Sequence, residues 1–127
     1  MNASQPEPKR RQTAALQNMR IATFAEFWPY YVREHSLAGT RSLHFIGSTA
    51  ALGCFVGALI TGRWGLLLIG LIIGYAFAWT GHFFIEHNKP ATFKYPLWSF
   101  AADWRMWSLI LRGKMDAEVT RARATKA

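Results

Sequence analysis

The dominant pattern in the sequence is a pair of long apolar runs. Ser42–Gly62 and Trp64–Ile85 contain no Asp, Glu, Lys or Arg, and a single Arg63 separates them. About 20 apolar helical residues cross a bilayer core of about 30 Å, and helices pair their own backbone polar groups inside lipid. The pattern predicts an all-α integral membrane protein with a helical hairpin, whose two transmembrane helices cover about 43–61 and 64–85.

The alternative is a pair of core helices in a soluble bundle. It is disfavoured because a chain of 127 residues has too little polar sequence to cover two such runs on every side.

Aromatic residues mark a further helix on each side of the hairpin. Phe24, Phe27 and Tyr31 recur at helical spacing, and so do the Trp residues of the segment after Pro96. Amphipathic helices rich in Trp, Tyr and Phe are typical of the membrane interface. The sequence predicts interfacial helices over about 23–34 and 96–112.

The domain organisation follows from these segments. We expect a polar N-terminal tail over 1–20, one membrane domain over 21–115 and a charged C-terminal tail over 116–127. Within the domain, Gly39 is predicted to form a turn and Thr40 to cap the first span.

Basic residues predict the orientation of the hairpin. The chain has 15 Lys and Arg, and all but Arg63 precede the first span or follow the second. The positive-inside rule places both termini in the cytoplasm, with the protein in the inner or plasma membrane of a bacterium or the endoplasmic reticulum of a eukaryote. The net charge of +8 is then attributed to topology and to anionic headgroups. Nucleic-acid binding is disfavoured because no groove-reading motif accompanies the charge.

Both spans carry glycine pairs at the spacing that lets helices approach closely. The pairs are Gly53 with Gly57 and Gly70 with Gly74. We expect at least one pair to pack within the hairpin, and either pair is also a candidate homo-oligomer contact.

All four histidines lie at the ends of the hairpin. His35 and His44 are at the start of the first run, and His82 and His87 are at the end of the second. A hairpin brings both ends to one membrane face, which predicts a metal site. The only cysteine, Cys54, lies in the middle of a span, so the site has no thiolate. Imidazoles without Cys suit iron, zinc, copper or nickel and differ from a usual structural zinc site. We expect Fe(2+).

Other polar residues are candidates for the same site. Glu86 is four residues after His82 and shares its helical face, so it is a candidate catalytic residue, either as a ligand or as a carboxylate that orients an imidazole. Asp103 and Tyr95 are weaker candidates for orienting residues.

The segments around the histidines resemble a known family. They are 27–31 (FWPYY), 34–35 (EH), 41–47 (RSLHFIG) and, in the second half, 79–93 with 95–99. The chain is similar over about 21–115 to a family of small integral membrane proteins long known as a domain of unknown function. Its characterised fungal member is an iron-dependent 2-hydroxy fatty acid dioxygenase. The four histidines of the family motif match His35, His44, His82 and His87.

The resemblance implies alpha-oxidation. A 2-hydroxy fatty acid and O₂ would give CO₂ and the fatty acid one carbon shorter, with the alkyl tail in the bilayer and the acid end at the histidines. Arg41 is then a candidate catalytic residue that binds the substrate carboxylate, or a headgroup-binding charge. Two alternatives stay open, because a shared family does not establish a substrate. They are a bis-histidine haem anchor and a non-catalytic membrane adaptor.

Overall fold

The computed structural model describes residues 21–124, and every regular element in that range is helical. In chain order the helices are α1 (Phe24–Arg33), α2 (Ala38–Thr61), α3 (Gly65–Thr80), α4 (Pro96–Leu111) and α5 (Met115–Ala124). A π-helical turn, Gly81–Glu86, continues α3, and a short 3₁₀ turn, Ala91–Phe93, precedes α4. The all-α class is confirmed. The predicted N-terminal tail, residues 1–20, lies outside the described residues.

Helices α2 and α3 form the predicted hairpin. Gly62 ends α2 with a left-handed backbone, φ +70°, which a residue without a Cβ adopts at no steric cost. The two helices, Ala38–Thr61 and Gly65–Glu86 with its π turn, are long and apolar enough to cross a membrane. Only 17% and 22% of their most apolar windows are buried in the protein. Apolar side chains therefore face outward, which is the reverse of a core helix in a soluble bundle.

Small residues bring the two long helices together. A Cβ at Gly70 would lie 2.9 Å from the Cβ of Cys54, and one at Gly47 would lie 2.7 Å from the Cβ of Phe77. Gly74 also packs against α2, so the predicted pair of Gly70 and Gly74 is confirmed within the hairpin. Gly53 faces open space: apart from its chain neighbours and the nearby backbone of its own helix, no atom of residues 21–124 lies within 4 Å of the position that a Cβ would occupy there.

The first long helix begins earlier than the sequence predicted. Helix α2 starts at Ala38, so Thr40 lies inside its first turn and does not cap it. The cap comes from the end of the second long helix, where the Glu86 carboxylate accepts a hydrogen bond from the Leu37 N–H at 2.6 Å. A carboxylate at this position satisfies a free N–H and interacts favourably with the helix dipole.

The remaining helices form a small core over the histidine end of the hairpin. Its buried side chains come from α1, α4 and α5 and include Phe27, Trp28, Tyr31, Ala102, Met106, Met115 and Val119. The rings of Phe27 and Tyr31, which the sequence pattern alone assigned to the membrane interface, are buried against protein. Lipid and a protein core select the same apolar helical face, so the pattern does not distinguish them.

Helix α5 departs from the predicted charged tail. Met115, Val119 and Ala122 recur on one face and are buried in the core. Polar contacts also hold the helix: the indole of Trp28 donates to Glu118 at 3.4 Å, and Arg123 donates to the carbonyl of Ser36 at 2.7 Å. The spacing of the three apolar residues was the available signal.

Candidate metal centre

Three histidines meet at the boundary between the hairpin and the small core. His35 follows α1, His44 lies on the second turn of α2, and His82 lies in the π turn after α3. The Nε2 atom of His44 lies 3.0 Å from Nε2 of His35 and 3.3 Å from Nε2 of His82. All three side chains are buried. One candidate ligand atom from each lies within 4.8 Å of the others.

The opposite ring nitrogens of these histidines face hydrogen-bond acceptors. Nδ1 of His35 is 2.7 Å from the backbone carbonyl of Tyr31, and Nδ1 of His82 is 2.7 Å from Oδ1 of Asn88. Nδ1 of His44 faces the Asp103 carboxyl at 3.7 Å. A carbonyl oxygen only accepts hydrogen bonds, so the first two rings carry their proton on Nδ1. Their Nε2 atoms are therefore free to act as ligands.

The orientation of Asn88 is established by its other contacts. Its amide nitrogen donates to the backbone carbonyl of Glu34 at 3.1 Å and to the Glu34 carboxylate. Because both acceptors lie on the nitrogen side, the oxygen Oδ1 must face His82. The hydrogen bonds thus distinguish the oxygen from the nitrogen of the amide. The loop after α1 thus orients an imidazole of the second span through one amide side chain.

This donor set fits a metal ion. The unprotonated Nε2 atoms of His35 and His82 both lie against Nε2 of His44, and such an arrangement is stabilised when a cation or a proton lies between the nitrogens. Metal-bound histidines usually donate their second ring N–H to a carbonyl or carboxylate, as His35 and His82 do here. Burial, with His44 and His82 close by, lowers the pKa of His35 well below its usual value. His35 is therefore neutral at physiological pH, the form that binds metals.

The chain between His82 and Asn88 takes an unusual path. The π turn adds a residue to the helix, and such turns are frequent at functional sites. Gly81 allows it to approach α2 closely, since a Cβ there would lie 3.0 Å from Cγ2 of Thr40. His87 then adopts a left-handed backbone, φ 59°, and ends the helix.

The structure does not bring His87 into the group of three. Its side chain is exposed, and it is absent from the group of ligand atoms that lie within 4.8 Å. Its assignment as a fourth metal ligand stays a prediction.

The two predicted catalytic residues lie beside the centre and have structural partners. Arg41 donates to the backbone carbonyl of His35 at 2.9 Å and lies 3.5 Å from the Asp116 carboxylate. Glu86 caps α2. Both contacts hold the segment that carries His35, because Leu37 and His35 lie on the same short connection between α1 and α2.

Tyr31 and Asp103 form a polar pair that connects the small core to the centre. The Tyr31 hydroxyl donates to Oδ1 of Asp103 at 2.5 Å, and the Tyr31 ring stacks on His35 with centroids 4.1 Å apart. Burial raises the pKa of Asp103 to about 7, although the hydrogen bond from Tyr31 opposes the shift. Sequence reasoning assigned Asp103 a minor role and missed Tyr31 and Asn88. The spacing of Tyr31 four residues before His35 was the available signal.

A small cavity of about 10 Å³ lies among the three histidines. This volume is on the scale of one water molecule or metal ion. Ser99 also lines the cavity, and its hydroxyl oxygen is buried without a hydrogen-bond partner among the described residues. A buried hydroxyl without a partner is costly, so Ser99 marks a side of the cavity where a bound polar group would be stabilised.

Comparisons with known proteins agree with this geometry. Searches of curated proteins and of solved structures find no match. The family model described as 2-hydroxy-palmitic acid dioxygenase Mpo1-like matches residues 21–115. The matched range includes the three clustered histidines and the residues that orient their rings, and it confirms the resemblance seen in the sequence. The chain therefore belongs to the 2-hydroxy-palmitic acid dioxygenase Mpo1-like family.

Proposed function

We propose that this protein is a membrane-embedded, Fe(II)-dependent dioxygenase that shortens 2-hydroxy fatty acids by one carbon. The balanced reaction converts R–CHOH–COOH and O₂ into R–COOH, CO₂ and H₂O. The bond between the carboxyl carbon and the alpha carbon breaks, and the alpha carbon is oxidised to the new carboxyl. The observation that carries the proposal is the convergence of three Nε2 atoms, 3.0 and 3.3 Å apart, in a chain of this family.

His35, His44 and His82 would hold the metal. When bound, Fe(II) would supply Lewis-acid and one-electron redox chemistry, which lets O₂ react with a closed-shell substrate. Three protein ligands leave coordination positions open for a substrate, whereas structural zinc sites are closed by four ligands. We expect the carboxylate and 2-hydroxyl of the substrate to bind at this open side, where the Ser99 hydroxyl is available as a hydrogen-bond donor.

The protein itself positions groups and excludes water. Tyr31, Asn88 and Asp103 face the Nδ1 atoms and hold the rings at their angles. Arg41 acts through the His35 carbonyl, so we assign it a positioning role. The centre lies at one end of two membrane-length helices, a location suited to an amphiphile with one polar end.

The haem alternative is less well supported. A porphyrin bound between two imidazoles needs a flat cavity that holds its whole ring system. The cavity among the histidines measures only about 10 Å³. The edge-on packing of the three rings, with centroids 4.4 to 5.2 Å apart, also leaves no gap for it. A purified protein with bound iron and a Soret band would favour haem.

Turnover of matched substrates tests the proposal. Detergent-purified protein is stripped of metal, reloaded with Fe(II) under nitrogen and supplied with O₂ and either 2-hydroxypalmitic or palmitic acid. We expect the fifteen-carbon acid from the first substrate only, because a site built to bind a hydroxyl rejects the analogue without it by about 10⁴-fold. Activity should stop on chelation and return with Fe(II). Equal turnover of both acids, or none in iron-loaded protein, would contradict the proposal.

A further inference from the structure

An apolar groove of about 360 Å³ runs along the hairpin between α2, α3 and α4. All of its lining side chains are apolar or aromatic, and they include Phe55, Leu67 and Leu71. Large parts of them are uncovered: Leu71 is 51% exposed and Phe100 is 56% exposed. The groove is therefore an unfilled apolar surface inside the zone of the two membrane-length helices.

This groove adjoins the metal centre through a second cavity. A second cavity, of about 60 Å³, shares Leu71, Phe100 and Trp104 with the groove. At its other end, the second cavity shares His44 and Asp103 with the small cavity among the histidines. Three adjoining cavities thus form a path from the candidate metal ligands to the apolar groove.

The path changes from polar to apolar along its length. Near the centre its walls include His44, Ser48 and Asp103, whereas the described residues that line it beyond Ala51 carry no charged side chain. From His44 to Phe55 the path follows eleven residues of α2, or about 16 Å at ~1.5 Å per residue. This is about half of a ~30 Å hydrocarbon core, the depth that one acyl chain occupies.

We propose that the groove binds the alkyl chain of the substrate and that it sets the preferred chain length. The proposal rests on the proposed function, because it takes the acid end of a 2-hydroxy fatty acid to lie at the histidines. A single unbranched chain with one polar end matches both the polarity of the path and its length. Gly70 and Ala51 line both cavities and leave space there because they have no large side chain. Leu71 also lines both, at the place where the second cavity meets the groove.

Two substitutions at different depths test this assignment. Leu71→Trp would obstruct the path near the centre, and Leu67→Trp would obstruct it one helical turn farther away. The full-length Fe(II) protein is assayed with 2-hydroxy acids of increasing length, from octanoic to palmitic. We expect Leu71→Trp to lower the ratio of long-chain to short-chain kcat/KM by about tenfold or more. Leu67→Trp should impose its limit at a longer chain than Leu71→Trp does.

Leu68→Trp is the matched control. Leu68 is on the same helix, is similarly exposed and does not line the groove. It should leave the chain-length profile as in the wild type. Bound iron per protein is measured for every variant, because a misfolded variant should lose its iron. If one of the two groove variants misfolds, the other still tests the assignment.

Photolabelling gives a readout that does not require turnover. A 2-hydroxypalmitic acid with a diazirine at its methyl end should label the segments around Phe55 and Leu67, and labelling there should fall in Leu71→Trp. Labels spread over all lipid-facing residues, and insensitive to Leu71→Trp, would mean that bulk lipid fills the groove and would overturn the assignment.

The outcomes distinguish a failure of the groove assignment from a failure of the proposed reaction. Wild-type turnover with identical length profiles in the three Trp variants would reject the groove and leave the proposed function standing. Specific groove labelling without turnover in iron-loaded protein would support the groove as an alkyl-chain site and reject the proposed reaction.

Discussion

Asn88 orients His82 although the helix that carries His82 ends between them. The left-handed residue His87 reverses the chain, and Oδ1 of Asn88 then lies 2.7 Å from Nδ1 of His82. Backbone N–H groups of both His87 and Asn88 donate to the His82 carbonyl, which secures this reversal. The short segment after α3 therefore holds the imidazole of His82 at a defined angle.

Asn88→Ala should weaken metal binding. Loss of the residue that orients a ligating histidine typically lowers metal affinity by about 10- to 100-fold. Anaerobic titration of the metal-free protein with Fe(II) or Co(II) measures this affinity. Lys89→Ala, at an exposed neighbouring position, is the control and should bind as the wild type does. Wild-type affinity in Asn88→Ala would show that the ring of His82 needs no such support.

The clustered histidines and His87 should behave differently on substitution. His35→Ala, His44→Ala and His82→Ala should each lose bound iron, because a site with three protein ligands has little redundancy. His87→Asn should keep it, because His87 lies outside the group and Asn tolerates the left-handed backbone. Metal analysis of the purified variants decides. Loss of iron in His87→Asn would instead favour the four-histidine site that the sequence predicted.

Tyr31→Phe should destabilise the protein. The change removes the hydroxyl that donates to Asp103 at 2.5 Å, and an unmatched partly buried group costs about 1–3 kcal/mol. Thermal or denaturant unfolding in detergent measures the loss in the free energy of unfolding. Tyr30→Phe, with a half-buried ring one position earlier, is the control and should change stability much less. Equal effects of the two variants would contradict the role of the Tyr31–Asp103 pair.

Gly70→Ala should destabilise the protein, whereas Gly53→Ala should not. A Cβ at Gly70 meets Cys54 at 2.9 Å and the Ala51 carbonyl at 3.2 Å, so the helices must move apart, at a cost of about 1–3 kcal/mol. Gly53 has open space around it within the described part of the chain, so Ala there should be neutral or slightly stabilising. Unfolding of both variants in the same detergent tests this. A destabilised Gly53→Ala would point to a contact with a second copy of the chain.

Both termini are expected in the cytoplasm. A single Cys introduced in a Cys54→Ala background reports the side of the membrane. Arg63→Cys should react with an impermeant maleimide only from outside, and Ala117→Cys only after permeabilisation, because the basic residues flank the hairpin on one side. Arg63 is preferable to Gly62, whose left-handed backbone disfavours a side chain. The reverse labelling pattern would place the metal centre on the opposite face.

The hairpin and the grouping of its histidines could be predicted from the sequence. Long uncharged runs lead to membrane-length helices because the solvation of each segment depends mainly on its own residues. The same hairpin brings the segment with His35 and His44 to the membrane face where His82 lies. The histidines themselves predicted a metal site, and the family resemblance added the expected reaction, which hydropathy alone does not specify.

The exact ligand group and its supports depend on the tertiary structure. Whether Phe27 faces lipid or protein, and whether α5 docks or remains a charged tail, depends on which other surface is available to cover an apolar face. His87 and His82 differ in position because one left-handed residue turns the chain outward, and backbone dihedral angles of single residues are not encoded in periodicity. Asn88, Tyr31 and Glu86 have partners up to 72 positions away, so only packing of the whole chain brings them into contact.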